Sequence, residues 1–294
     1  NGAQGSVFLA IDNRLGRRVA IKSLHKEFVS DETQFKRFEE EAKILAKLNH
    51  ESIVTLYDFC YDDEGFYLVM ELVKGKPLDK HIKDKDCTHQ SPSCPCTGPI
   101  AEIRAINIVI KILNGINYIH DLKIVHRDIK PSNIIIDSND NIKLLDFGIA
   151  NNTKKNLKLT KVNTNAGFTP MYATPEHMSK SKITKQSDIY SLGVTLWHML
   201  TGVPPYEGLS EYQIYGKIER DRLPNIQDVY KHVSIRMNEI VQKATSKLPS
   251  DRYDSCKGFI RDLEDLKEKL LQKNNTISID TFSDDPLNTL HKND

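Results

Sequence analysis

The stretch that decides the fold reads His126, Arg127, Asp128, Ile129, Lys130, Pro131, Ser132, Asn133, and thirteen residues later come Asp146, Phe147 and Gly148. Both islands flank short apolar runs, so they read as loops at the ends of strands. They place a carboxylate, Asp128, where a hydroxyl could lose its proton. They also place an amide, Asn133, and a second carboxylate, Asp146, where a divalent cation could be held. Phosphoryl transfer needs these groups. Five specified residue types (His126, Arg127, Asp128, Lys130, Asn133) make a chance match in a chain of this length about one in ten thousand.

Working outward, the 294 residues with 39% apolar content can bury a sizeable core, in one large two-lobed domain or two small ones. No apolar run approaches the ~18 residues of a membrane span, and no charged-then-apolar leader opens the chain. Forty-one basic residues against forty acidic ones leave a net charge of +1, so no global field steers nucleic acid or an anionic membrane. Neither nucleic acid nor membrane contact is therefore expected of this segment, and no oligomeric state is indicated. Five cysteines at irregular spacing form no disulfide framework, which favours a reducing, cytoplasmic setting.

In this order and spacing the chain resembles the eukaryotic-type Ser/Thr protein kinases, from Asn1 to about residue 270. The resemblance implies an α+β, bilobal fold: a small antiparallel sheet lobe with one key helix over residues 1–73, and a larger helical lobe over 74–273. It also implies ATP between the lobes, Mg²⁺ (with Mn²⁺ as a possible substitute) and protein substrates. A polar tail is expected over 274–294. The opening Asn1, Gly2, Ala3, Gln4, Gly5, Ser6, Val7 looks like the second half of the family's glycine-rich loop. Gly2 and Gly5 would let backbone N–H groups approach phosphates, and Val7 would cover the adenine. The family's first loop glycine would precede residue 1, so the chain is expected to be truncated inside this loop.

Alternation from Val7 to Ile11, a turn through Asp12, Asn13 and Gly16, and a run ending Val19, Ala20, Ile21, Lys22 predict a strand pair. By resemblance Ala20 lines the adenine site and Lys22 contacts the nucleotide phosphates, held by a carboxylate. Apolar residues at Phe35, Phe38, Ala42, Leu45 and Leu48 predict an amphipathic helix capped at Ser30. A solvated face accounts for Glu39 and Glu40, whereas Glu41, directly before Ala42, is the partner expected for Lys22. Further strands are predicted near Ile53 to Phe59 and Phe66 to Glu71. The latter runs into a segment that resembles the family's hinge, which implies Met70 as gatekeeper and the backbones of Glu71 and Val73 at the adenine edge.

Residues 84–100, with Cys87, His89, Cys94 and Cys96, could supply four metal ligands, but they match none of the paired CysxxCys zinc spacings, which favours a surface insertion over a metal site. A helix is predicted from Ile103 to His120, and a hairpin from Ile134–Ile136 and Ile142 to Leu145, where the resemblance implies that Ile135 supports the adenine from below. By resemblance Asp128 orients the acceptor hydroxyl, Lys130 neutralises the transferring phosphoryl group and points to Ser/Thr substrates, and Asn133 and Asp146 ligate Mg²⁺. The basic segment 149–168 is expected to be a mobile activation loop, with Thr160 and Thr164 as candidate phosphorylation sites for pairing with Arg127. Thr169 would lie under the substrate residue next to the acceptor. Glu176 is expected to pair with Arg252, and Asp188 to anchor the catalytic loop, unless it is simply a helix-terminal acid. A charged helix is predicted from about Cys256 to Lys273. The alternative from another functional class is a pseudokinase-type binding or scaffolding module.

Overall fold

The computed structural model describes residues 5–24, 39, 42–62, 65–83, 99–146, 170–179 and 181–283. Its first unit is a four-stranded antiparallel sheet of β1 (Gly5–Asp12), β2 (Arg17–Leu24), β3 (Leu56–Tyr61) and β4 (Phe66–Glu71), in the order β1-β2-β4-β3. The β1–β2 turn closes because the Asp12 carboxylate accepts the N–H groups of Arg14 and Leu15 while Gly16 takes φ 64°. Register then sets which side chains share a face. Val7, Lys22 and Leu68 form one cross-strand row, and Leu9, Ala20 and Met70 another.

The third strand begins at Leu56, three residues later than its predicted start at Ile53. The cause is competition for backbone partners. Val54 N–H donates to Leu144 O at 3.0 Å and Leu144 N–H to Ser52 O at 2.8 Å, so this segment is claimed by the second lobe before it can join the first sheet. Most of the predicted helix from Ser30 to Leu48 lies outside the described residues. Its end, residues 42–45, is helical, and Ala42 and Leu48 are buried against Ile53, Leu56, Leu68 and Ile119, as their spacing predicts.

A second sheet, β5 (Lys76–Pro77), β6 (Ile134–Ile136) and β7 (Ile142–Leu144), carries the hairpin read from the sequence. Gly75 enters it at φ 131°, where a Cβ would stand 2.4 Å from Ile136 O. Both the dihedral and the approach demand glycine. Gly75→Ala is therefore expected to cost about 1–3 kcal/mol, read as a lowered thermal midpoint; an unchanged midpoint would contradict this.

The larger lobe contains α1 (Leu78–Lys83), α2 (Glu102–Asp121), α3 (Pro175–Met178), α4 (Lys185–Thr201), α5 (Glu211–Arg220), α6 (Ile226–Val229), α7 (Ile235–Ala244) and α8 (Cys256–Ser283). Helix α4 is buried from Ser187 to Thr201, and α2 and α7 pack on it. Buried on every side, it satisfies two of its hydroxyls within its own backbone: Thr195 donates to Ser191 O and Thr201 to Trp197 O, both at 2.9 Å. Gly193 lets α7 approach, since a Cβ there would meet Ala244 Cβ at 2.9 Å.

Helix α8 continues through Ser283, past its predicted end at Lys273 and into the segment expected to be tail. Residues such as Asn274, Asn275 and Thr276 are poor helix formers, but extending an existing helix requires no new nucleus. The Cys87, His89, Cys94 and Cys96 group lies outside the described residues. The described residues resume at Pro99, and the N–H of buried Ile100 donates to Met199 O at 2.7 Å.

Candidate active site

Helix α2 delivers the chain into the loop at Lys123 through a left-handed turn, with φ 63°. There the first constraint comes from α4. Asp188, 1% exposed, accepts the His126 N–H at 2.9 Å and the Arg127 N–H at 2.8 Å. Asp188 thus lies in the first turn of α4, as the helix-terminal reading has it, while its carboxylate is committed to the loop. Arg127 sits at φ 69°, which costs a non-glycine residue about 1–2 kcal/mol. Charge-assisted hydrogen bonds to a buried carboxylate offset that cost.

The loop then brings three predicted side chains into one network. Asp128 Oδ2 lies 2.9 Å from Lys130 Nζ and accepts Asn133 Nδ2 at 2.8 Å; the same amide donates to Asp128 O at 2.9 Å. With its nitrogen so occupied, Asn133 keeps its amide oxygen for another partner. Asn133 closes the 3-10 turn Pro131–Asn133, and its carbonyl accepts the Leu145 N–H at 2.8 Å. That bond ties the loop to the residue before Asp146. Asp146 takes φ 50°, and Lys22 Nζ, crossing from the first sheet, donates to its Oδ1 at 2.5 Å. Lys22 is 8% exposed, so this ammonium is not a solvated strand end.

Asn133 and Asp146 supply hard oxygen donors suited to a divalent cation. Among the described residues no cluster of three or more His, Cys, Asp or Glu side chains could hold a metal ion unaided.

At the end of β4, the Glu71 N–H donates to Thr55 O at 2.9 Å. The Glu71 side chain accepts Lys143 Nζ at 2.8 Å, and Lys143 also donates to Ile53 O at 3.2 Å. No local spacing signals this link, because its partners are 72 residues apart and each reads as an ordinary surface charge. Met70 packs on the first-lobe core, Ile135 and Ala20 are half-buried, and Val7 is exposed. Gly2, Glu41, Phe147, Gly148, Thr160, Thr164 and Thr169 lie outside the described residues.

The support beneath this site is the expected ion pair. Arg252 Nη1 and Nη2 reach Glu176 Oε1 and Oε2 at 2.7 and 2.9 Å. The guanidinium also donates to Ser246 O, Gln186 O and Lys247 O. Burial raises the Glu176 carboxyl, but Arg252 and the Ser187 hydroxyl outweigh it and hold the group below its ordinary range. Burial also depresses His126, against the upward pull of Asp188, Asp128 and Asp146, and likewise depresses His177.

The signs of these shifts agree. A group with a depressed folded-state pKa takes up protons in the unfolded chain first, so stability falls as pH drops. The loss is expected to begin near the ordinary histidine value of 6.5, through His126 and His177, and to steepen below the ordinary carboxyl value of 4.5, through Glu176. Denaturant titrations between pH 8 and pH 4 check this; flat stability from pH 7 to pH 5 would contradict it.

Comparison with known proteins agrees with this geometry. The family model described as the protein kinase domain matches residues 1–276. The serine/threonine-protein kinase PrkC of Bacillus subtilis is 35% identical over 281 residues, covering 95% of this chain and 41% of that protein. The serine/threonine-protein kinase PknB of Mycobacterium leprae is 34% identical over 267 residues, covering 89% of this chain and 41% of the relative. The chain thus spans about two fifths of the length of these relatives. In fold, a crystal structure of the Mycobacterium tuberculosis PknI kinase domain superposes with a TM-score of 0.69 at 22% identity, covering 90% of this chain and 92% of that one. The bilobal architecture expected from the sequence is the one found, and the relatives are Ser/Thr kinases as the resemblance implied. The chain belongs to the protein kinase domain family, which uses ATP and a divalent cation.

Proposed function

We propose that this chain transfers the γ-phosphoryl group of MgATP to serine or threonine hydroxyls of protein substrates. The observation that carries the reading is the meeting of Lys22 with Asp146 beside the Asp128, Lys130 and Asn133 network. When bound, ATP supplies the phosphoryl group, and Mg²⁺, or Mn²⁺ in its place, neutralises charge on it. Lys22 holds the α and β phosphates, and Glu41 holds Lys22. Gly2, Gly5 and Val7 cover the nucleotide. Ala20, Met70 and Ile135 bound the adenine, and the Glu71 and Val73 backbones meet its edge. Asn133 and Asp146 hold the cation.

Asp128 orients the acceptor hydroxyl and takes its proton, a task in which geometry dominates over basicity. Lys130, 2.9 Å from Asp128, is placed to balance charge as the phosphoryl group moves between donor and acceptor. The presence of Lys22, Asp128, Asn133 and Asp146 speaks against the pseudokinase alternative. Incubating the full-length protein with γ-labelled ATP, Mg²⁺ and a generic basic protein, followed by phosphoamino-acid analysis, is the test. Label on serine or threonine is expected; label on tyrosine alone, or none, overturns the reading.

Regulation follows the same chemistry. Phosphate on Thr160 or Thr164 would pair with the guanidinium of Arg127, whose backbone N–H is held by Asp188 beside Asp128 in the chain. Mass spectrometry after autophosphorylation is expected to find phosphate on at least one of the two threonines, and unmodified peptides for both would refute it.

A further inference from the structure

The polar network around Asp188 does not stop at the catalytic loop. His120, in the last turn of α2, places Nε2 2.8 Å from Asp188 Oδ2, and Cys256, the first residue of α8, lies with Sγ 3.7 Å from His120 Nδ1. A cysteine, a histidine and an aspartate in this order invite comparison with a nucleophilic triad. Two observations reject that use. Cys256 is 1% exposed, so no substrate reaches it, and burial together with nearby Asp188 pushes its thiol up to about 12. A protonated, buried thiol can instead act as a donor.

The hydrogen-bond roles around the ring follow from Asp188. Its carboxylate already accepts the N–H groups of His126 and Arg127, and a bare imidazole nitrogen facing Oδ2 at 2.8 Å would set lone pair against lone pair. Nε2 therefore carries the proton. In the neutral ring Nδ1 is then an acceptor, and the group facing it is the Cys256 thiol.

We propose that Cys256 is a positioning residue for the catalytic loop. Its thiol donates to Nδ1, holds His120 in the Nε2–H tautomer, and so supplies the third N–H that fixes the Asp188 carboxylate. That carboxylate sets the Arg127 backbone and, through it, the direction of Asp128. Helix α8 is thereby coupled to the loop through one imidazole ring. The inference rests on the role of Asp128 proposed above, but its first readout does not.

The test uses full-length protein with ¹⁵N-labelled histidine. His120 is expected to show a protonated Nε2 and an unprotonated Nδ1; a protonated Nδ1 overturns the proposal without any variant having to fold. Cys256→Val, similar in volume but without a donor, is expected to shift the His120 ring signals and lower kcat about tenfold, with KM for ATP unchanged. Cys256→Ser is expected to restore both. A valine variant with wild-type ring signals and kcat, or a serine variant as impaired as valine, would refute the assignment. Failure of the kinase reading looks different, because the wild-type protein would then transfer no phosphate whatever its histidine spectrum showed.

Discussion

Lys22→Met and Asp146→Asn are each expected to lower the phosphoryl-transfer rate by about 10²–10³-fold, and the double variant is expected to fall little further than either alone. The magnitude follows from deleting one preorganised charge aimed at the reacting group. The lack of additivity follows from the 2.5 Å contact between the two side chains. Lys22 is largely buried, so removing Asp146 takes from its ammonium the carboxylate it contacts beside its assigned holder Glu41, and removing Lys22 leaves Asp146 without its counter-charge. Each single change therefore undoes most of what the pair does together. Initial rates at saturating ATP, with circular dichroism to verify folding, measure this cycle. Losses that multiply in the double variant would mean that the two groups act independently.

The largest stability effect is expected at Arg252→Ala, about 3–5 kcal/mol, because it strands the Glu176 carboxylate in the interior. Both side chains are almost inaccessible, and the guanidinium additionally satisfies three backbone carbonyls. For a chain of this size the thermal midpoint should fall by roughly 6–20 °C. Arg252→Lys should recover only part of the loss, since a single ammonium cannot reproduce the two parallel bonds to Glu176. A drop of less than about 1 kcal/mol for the alanine variant, the range of exposed ion pairs, would show that the pair is not the support described.

Features governed by local chemistry were legible in the chain. The alternation before Lys22, the helical spacing before the catalytic loop and the hairpin around Asn139 to Asn141 each depend on neighbours within a few residues. Asp128, Lys130 and Asn133 are also close in sequence, so one short turn suffices to bring them together. The loop anchored by Asp188 and the Glu176–Arg252 pair could be foreseen only because the chain, to about residue 270, resembles a family in which those distant positions meet.

What escaped reading depended on competition over long range. Ile53 looks like strand, and is diverted because Leu144 offers Ser52 and Val54 backbone partners from the other lobe. Lys143 and Glu71 look like solvated charges until the hinge brings them to 2.8 Å. Cys256 reads as one more apolar helix residue, and nothing in its neighbours reveals that α8 starts against His120. The end of α8 was missed for a different reason: propensity argued for a tail, whereas a helix already nucleated can run through unfavourable residues.

The central claim is that a triphosphate is held between the Lys22 ammonium and a cation carried by Asn133 and Asp146. It is tested most directly by calorimetric titration of ATP into full-length wild-type protein and the Asn133→Ala, Asp146→Asn double variant, each with Mg²⁺ and with a chelator. Mg²⁺ is expected to tighten ATP binding to the wild type by at least about tenfold, roughly 1.4 kcal/mol, and to have little effect on the double variant. An equal Mg²⁺ dependence in the two proteins would contradict the claim.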